Sequence, residues 1–486
     1  MYIKNEDTIC APATIPGTGA ISVIRVSGPE ALHIADKVIT CQKGNISDSK
    51  GYTIKFGVIL DASSKVLDEV LVSIFRAPHS YTGENSVEIS CHASSYIVSE
   101  IMNLLYAAGA RAAEPGEFTQ RAFLNGKMDL AQAEAVADVI ASQNAAAHRV
   151  AFKQMKGGFS SELKGMRGEL LELVSLMELE LDFSEEEVEF ADRSRLDSLL
   201  EQIIAHVGRL IDSFRLGNAI KNGVPVAIAG ATNTGKSTLL NALLGEDRAI
   251  VSDVHGTTRD TIEETLNIDG ILFRFIDTAG LRETSEVVEK IGIERTFKKI
   301  GEASIVLGMV DLTRDFDSTC ETVKSIVEKV DFETQKLIFL LNKTDISEVN
   351  NNVNIINYIV SLLDIKGVKC SVFENDGTSC SDVQIIPISA KTGARISDLR
   401  SVLAASQRDL LGDSDTTLVT NQRHVQALSD ARTSLLRVRE GLACSLPTDL
   451  AAQDIREAIY HLGSIVGEIS TDEVLGNIFR NFCIGK

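Results

Sequence analysis

"GATNTGKST", Gly230 to Thr238, is the stretch that leaves this chain the least freedom. It follows the apolar run "VPVAIAG" and opens into "STLLNALLG". Strand, glycine-rich loop and helix in that order are the context the G-x-x-x-x-G-K-[ST] pattern requires. The glycines let backbone N–H groups curl around phosphates, and the helix N-terminus adds its dipole. Lys236 is placed to reach the β- and γ-phosphates, and Ser237 to ligate Mg²⁺. Asn233, Thr234, Gly235 and Thr238 complete the loop. Ligands of this kind collect beyond the carboxyl ends of strands in an open, largely parallel sheet.

The sequence after Asn222 supplies such a sheet. "LFRFID", "ASIVLGMVD", "KLIFLLNKTD" and "VQIIPISA" are short apolar runs, as strands buried on both faces should be. Each ends in a polar motif. In "NKTD", Asp345 can accept two hydrogen bonds from the N1–H and 2-amino group of guanine, while Asn342 and Lys343 brace the base and the loop. Adenine lacks that donor pair, and a site built around buried polar groups rejects a ligand that leaves them unpaired. "SAKTG", with Ser389, Ala390 and Lys391, adds a backbone contact to the guanine oxygen. The expected nucleotide is GTP. Between these motifs, "DVHGTTRD" offers Thr257 and Thr258, one of which closes on Mg²⁺ and the γ-phosphate. In "DTAG", Asp277 holds Mg²⁺ through water and Gly280 donates its N–H to the γ-phosphate. Loss of that phosphate frees both loops.

One position breaks the usual pattern. The residue after Gly280 is Leu281, where Ras-like proteins carry a Gln that orients the attacking water. Leu cannot hydrogen-bond. Two local substitutes exist. A carbonyl of Asn233 can hold a monovalent cation beside the phosphates, and Glu286 or Glu289 in "EVVEK" can hold water. The plainer reading of both acids is surface charge on a helix.

The flanks differ in texture. Residues 1–127 mix strands ("GAISVIRVSG", "DEVLVSIFRAP", "SVEISCHAS") with a helix ending near Gly109. Residues 128–221 are helical, and "LDSLLEQIIAHVGRLI" carries an amphipathic stripe whose role is packing. Residues 405–480 return to helix, so an α/β domain inserted into a helical one accounts for both segments. Trp is absent, which makes the cores aliphatic. A net charge of −20 excludes coating nucleic acid by bulk charge, since phosphate contacts need Lys and Arg. The 8 Cys show no C-x-x-C, which fits a reduced cytosol. No leader, transit pattern or membrane span is expected, and the localisation expected is cytoplasmic. At the ends, a glycine-rich turn feeds the strand carrying Arg25, and the tail reads "NFCIGK". Cys483 stands fourth from the end, but Gly485 and Lys486 fit prenylation poorly. Cys483 is then a candidate nucleophile or part of a frayed tail.

Taken together, "DTICAPAT", "GTGAISVIRVSG", "YTGENSVE", "LNGKMDLAQAEA", "GATNTGKST", "GTTRD", "DTAGLRET", "NKTD", "SAKTG" and "CIGK" resemble the MnmE (TrmE) family of tRNA modification GTPases along essentially the whole chain. Era-like and Der-like GTPases share the nucleotide motifs but not the two ends. The resemblance implies a multidomain α/β architecture. A mixed α+β domain at 1–127 would bind a tetrahydrofolate derivative (5-formyl- or methylene-tetrahydrofolate) and dimerise. An all-α domain at 128–221 and 405–486 would be interrupted by a Ras-like P-loop G domain at 222–404.

Family folate contacts fall at positions matching Arg25, Glu88, Lys127 and Lys486. Potassium contacts match Asn233, Ser252, Val254 and Thr257, and the Mg²⁺-linked Thr matches Thr258. A Glu matching Glu289 holds the water indirectly, so Leu281 is family pattern. Lys236, Asn233 and Glu289 are thus the expected catalytic set. The family works as a homodimer with an MnmG-like FAD protein, in a heterotetramer that modifies the wobble uridine of certain tRNAs. Carbon comes from methylenetetrahydrofolate and the amine from glycine or ammonium. Thr232 and Thr234 stand where relatives often carry Pro and Ala, and Gly126 where an acid is frequent. Two other readings remain at this point. One is a ribosome-assembly or RNA-binding switch of the Era/Der type, which needs a basic RNA module. The other is a folate enzyme acting alone.

Overall fold

The computed structural model describes residues 7–61, 63–182, 193–245, 264–276, 300–347, 349–372, 383–407, 417–444, 448–469, 472–480, 482 and 485. It divides into two compact units. One is Met1–Ala141, Ala151–Ile211 and Gln422–Lys486, and the other is Ser142–Val150 and Asp212–Asn421.

The first unit begins with a seven-stranded sheet: β1 Ile9–Pro12, β2 Ile21–Ser27, β3 Ile39–Cys41, β4 Thr53–Leu60, β5 Val66–Phe75, β6 Ser86–His92 and β7 Arg111–Ala112. Its order is β3-β4-β5-β6-β2-β1-β7, and every pair except β1–β7 is antiparallel. Alternate residues point to opposite faces of a strand. Val70, Val72 and Ile74 therefore enter one core with Ile24, Val26, Val87 and Ile89. Helices Ala31–Val38 and Ser95–Ala108 cover that face, contributing Leu32, Ile34, Ile101 and Leu105. The opposite face keeps Ile54, Phe56 and Leu71 exposed, with Phe56 directly across from Leu71.

Helices complete the unit. The texture over 128–221 resolves into separate helices, with breaks such as Gly157, whose φ is 87°, and of these Phe214–Asn222 and the start of Ala145–Met155 belong to the second unit. The amphipathic stripe is packing, as expected: Leu200, Ile203, Ile204, Val207 and Leu210 are buried. Helix Thr448–Val466 packs on both Gly158–Asp182 and Gln422–Ala443, so helical segments before and after the inserted domain share one core. Glu134 ties three helices there. Its carboxylate accepts from Arg423 Nε at 3.0 Å and from His424 Nε2 at 2.6 Å, while Arg423 also donates to the carbonyls of Ser464 and Ile465. Burial opposes the Glu134 charge, but His424 and Arg423 outweigh it and hold the carboxyl at about 2.

The second unit is built on β8 Val224–Ala229, β9 Glu264–Ile268, β10 Ile271–Phe275, β11 Ile305–Asp311, β12 Lys336–Asn342, β13 Cys370–Val372 and β14 Val383–Pro387. The order is β13-β14-β12-β11-β8-β10-β9, parallel throughout except for the β9–β10 hairpin. Both faces are buried. Val226, Ile228, Leu307 and Met309 enter one core, and Ala227, Ala229, Val306 and Val310 the other. β8 lies between β10 and β11, where the strand order reverses, and its carboxyl end is the switch point at which ligands bind. The fold is thus a mixed α+β N-terminal domain followed by a helical domain that a P-loop α/β domain interrupts. No helix among the described residues is long and apolar enough to cross a membrane.

Candidate functional site

Six residues separate the end of β8 from helix Lys236–Leu244. Asn233 has φ 62° and Gly235 has φ 99°, so the loop curls back through left-handed backbone. A Cβ on Gly235 would lie 2.5 Å from Asn342 Nδ2, and only glycine fits there. Lys236 starts the helix and turns its ammonium into the loop, donating to the carbonyls of Gly230 at 3.0 Å and Ala231 at 2.7 Å. Burial, together with the nearby Arg314 charge, lowers its pKa to about 8. Thr234 is buried and donates to Ala231 O at 2.9 Å. Asn233, Ser237 and Thr238 are exposed at the crest. Side-chain oxygens on an exposed crest suit hard, oxygen-seeking cations, so Asn233 and Ser237 fit the K⁺ and Mg²⁺ expected there.

The loops that carry Asp345 and Ala390 meet this loop through Asn342. Asn342, at the end of β12, donates from Nδ2 to Thr234 O at 2.7 Å and accepts at Oδ1 from Ala390 N at 2.9 Å. Ser389 Oγ donates to Asp345 Oδ1 at 2.8 Å, which fixes the carboxylate expected to read guanine. Thr344 anchors the same loop to Ile388 O at 2.9 Å. Lys343, at φ 69°, donates to Asp311 at 2.6 Å. Burial works against the Asp311 charge, but Lys343 and Thr313 outweigh it and hold the carboxyl below its ordinary range. Lys391 is exposed. The predicted Asn233, Thr234, Gly235, Lys236, Asn342, Lys343, Asp345, Ser389 and Ala390 are therefore brought together. Sequence reasoning passed over Asp311 and Arg314, the latter donating to Thr232 O. Their signal was the polar "DLTRD" closing an apolar strand run. Ser252, Val254, Thr257, Thr258, Asp277, Gly280, Leu281, Glu286 and Glu289 lie outside the described residues.

A second constellation sits in the first unit. Arg25 on β2 stands directly opposite Glu88 on β6. Its Nε and Nη2 donate to Glu88 Oε1 at 3.0 and 2.8 Å, and its Nη1 to Gly485 O at 3.5 Å. The guanidinium faces the rings of Tyr81 and Phe118, 5.2 and 5.6 Å from their centroids. Lys127 is exposed and donates to Pro78 O at 3.0 Å, on the loop that carries Tyr81. A clamped guanidinium beside aromatic faces and an exposed ammonium suit a flat, polar-edged heterocycle with an anionic tail, so the residues present fit a folate. Behind it, Arg121 is buried among Asp7, Glu84 and Glu117. Cys483 and Lys486 lie outside the described residues.

A phosphate loop at the switch point of this sheet, joined to an "NKTD" loop through Asn342, defines a guanine-nucleotide-binding P-loop protein. Comparison with known proteins narrows the class. The MnmE helical domain matches residues 130–483, and the N-terminus of the GTP-binding protein TrmE matches residues 8–127. The tRNA modification GTPase MnmE of Parabacteroides distasonis is 51% identical over 483 residues, covering 99% of this chain and 100% of that protein. That of Bacteroides fragilis is 52% identical over 485 residues, with 99% and 100% covered. The chain belongs to the MnmE family of tRNA modification GTPases. Among solved structures, Era in complex with MgGDPNP and a 16S ribosomal RNA segment is 26% identical, covering 43% of this chain and 66% of that one at a TM-score of 0.27.

Proposed function

We propose that the chain hydrolyses GTP to drive modification of the wobble uridine of certain tRNAs. It acts in the cytoplasm as a homodimer, with an MnmG-like FAD protein in a heterotetramer. The observation that carries the nucleotide half is Asn342, whose one amide holds the phosphate loop and the Ala390 loop together beside Asp345. Residues 222–404 form the GTPase. Residues 1–127 bind a 5-formyl- or methylene-tetrahydrofolate and dimerise, and 128–221 with 405–486 form the helical domain. The exposed Ile54, Phe56 and Leu71 on the outer sheet face support pairing of two copies.

The chain's own groups divide the work. Asp345 and Ser389 select guanine, and Gly235 and Lys236 hold the β- and γ-phosphates. Asn233, Ser252, Val254 and Thr257 would hold K⁺, and Ser237 and Thr258 would hold Mg²⁺. When bound, these ions supply the positive charge that a GTPase needs around the transferred phosphoryl group. Glu289 positions the attacking water, which Leu281 cannot. Arg25, Glu88, Lys127 and Lys486 orient the folate, which supplies the one-carbon unit when bound. Cys483 is assigned no step.

The test is GTP turnover of the full chain in potassium against sodium buffer, with Glu289→Ala alongside. Strong potassium stimulation, lost in the variant, is expected. Equal rates in both salts would sink the cation assignment and send the missing catalytic group to a partner protein.

A further inference from the structure

Asn233 sits at the crest of the phosphate loop, and the residues on either side of it each have their carbonyl held from outside the loop. Asn342 Nδ2 donates to Thr234 O at 2.7 Å. Arg314 Nη2, reaching across 82 residues, donates to Thr232 O. Asn342 opens the "NKTD" motif, but Arg314 belongs to no nucleotide motif. It stands in "DLTRD", just past the end of β11.

The arginine is aimed. Its side chain is 31% exposed, yet its Nε lies 3.8 Å from Asp311 Oδ2. Asp311 is buried and is itself fixed. Its Oδ1 accepts from Thr313 N at 3.0 Å and from Thr313 Oγ1 at 2.7 Å, and its Oδ2 accepts from Lys343 Nζ at 2.6 Å. A line of charged groups thus runs from the "NKTD" loop through Asp311 to the phosphate loop. Burial first, and then the Arg314 charge, disfavour the Lys236 ammonium. Arg314 therefore lies within electrostatic reach of the phosphates that Lys236 is placed to hold.

The backbone carries this contact to the other side of the loop. A trans peptide is planar, with its C=O and N–H pointing in opposite directions. The Thr232–Asn233 peptide is trans. Its carbonyl turns out to Arg314, so its N–H, that of Asn233, turns the opposite way, to the side on which a loop of this kind cradles phosphate. A cation on the carbonyl also polarises the amide and strengthens the N–H as a donor. Charge spreads over the phosphate oxygens during transfer, and a preorganised donor gains most at that moment.

We propose that Arg314 is a positioning residue for GTP hydrolysis, holding the Thr232 carbonyl so that the Asn233 N–H is fixed on the phosphates, while Asp311 aims the guanidinium. Arg314 touches the loop and not the nucleotide. The inference rests on the reading of this loop as the phosphate site, and it adds Asp311 and Arg314, which that reading does not include. A donor that matters more in the transition state than in bound GTP lowers the rate more than the affinity when it is lost. Losing one charge-assisted hydrogen bond corresponds to about tenfold in rate.

The test uses the full chain in potassium buffer. The GTP dissociation constant and the single-turnover hydrolysis rate are measured for the wild type, Arg314→Ala and Arg314→Lys. Each is measured with and without ethylguanidinium, which matches the part of the side chain that Arg314→Ala removes. Arg314→Ala is expected to hydrolyse about tenfold more slowly and to bind GTP within about threefold of the wild type. Ethylguanidinium should restore most of the lost rate in that variant and leave the wild type unchanged. Arg314→Lys keeps the charge but not the fork, and its rate should fall between the two. A wild-type rate in Arg314→Ala would overturn the proposal. So would a loss confined to affinity, which would make Arg314 a support for binding alone. Slow hydrolysis that neither ethylguanidinium nor lysine repairs would also overturn it, because general damage to the loop would then account for the loss. Wild-type turnover in the same assay tests the GTPase reading by itself, and its absence would refute that reading and the proposal together.

Discussion

Both units hold a seven-stranded sheet, yet the two sheets make sites in opposite ways. The parallel sheet is buried on both faces, so no side chain in the middle of a strand is free to meet a ligand. Its site is made beyond the strand ends, from loop backbone and from residues such as Asn342 that tie loop to loop. The antiparallel sheet packs its large core on one face, while the other is exposed at Ile54, Phe56 and Leu71 and carries only a small cluster of Ile9, Ala11 and Phe118 beside Arg25. Its site stands on that second face, from side chains in mid-strand, where Arg25 and Glu88 face each other across β2 and β6. A backbone-built site depends on conformations that few residues adopt. A side-chain-built site depends on the shape and charge of particular groups.

Core substitutions separate the two sheets most strongly. Phe339, fully buried on the parallel sheet, should lose about 3–5 kcal/mol on truncation to Ala. Phe56, 39% exposed on the open face of the antiparallel sheet, should lose less than about 1 kcal/mol when truncated. Denaturant melts check both, and equal costs would erase the distinction. Gly235→Ala comes next. Strain at φ 99° and the close approach to Asn342 should weaken GTP binding by about 100-fold or more, while 5-formyl-tetrahydrofolate binding stays intact. Loss of both would show that the sites are not independent.

A smaller effect is expected at Arg25→Lys. It keeps the charge but removes the planar fork that serves Glu88 and Gly485 together, and should cost about tenfold in folate affinity. Wild-type affinity in that variant would mean that charge alone suffices, as it does not in a side-chain-built site.

The smallest effect is pH-dependent. The free Lys236 ammonium titrates at about 8, because burial and Arg314 disfavour its charge. Nucleotide phosphates favour that charge and raise the pKa. Binding therefore takes up protons where the free lysine has lost its own, and affinity falls modestly as pH rises above about 8. Calorimetry in two buffers of different ionisation heat should show more proton uptake at about pH 9 than at about pH 7. No difference would mean that Lys236 keeps its proton without the nucleotide.

How far the sequence could be read follows the same division. The phosphate loop was legible because its chemistry is local: Gly230, Gly235, Lys236 and Ser237 need fixed spacing to curl a backbone. The strands of the parallel sheet were legible as apolar runs, since burial on both faces leaves no polar alternation. Edge strands β9 and β13 were not, because residues such as Glu264, Thr265 and Asn267 break the run. Arg25 could be noticed but not placed by spacing, because Glu88 lies 63 residues away and Gly485 lies 460 away. The family resemblance set Arg25 and Glu88 in one expected site but did not pair them, and it left Gly485 out. Asp311 and Arg314 escaped because their partners, Lys343 and Thr232, are joined to them by the sheet and not by the chain.

Asn342 reaches Thr234 across 108 residues and Ala390 across 48. That amide, with the Ser389–Asp345 and Thr344–Ile388 hydrogen bonds, registers the three loops, not the lengths of chain between them. Intervening segments are free to grow or shrink, as if the motifs were words pinned to one point while the sentences around them are rewritten. Length variation in this domain should therefore collect between the motifs, and a relative with a long insertion there need not differ in the nucleotide that it binds.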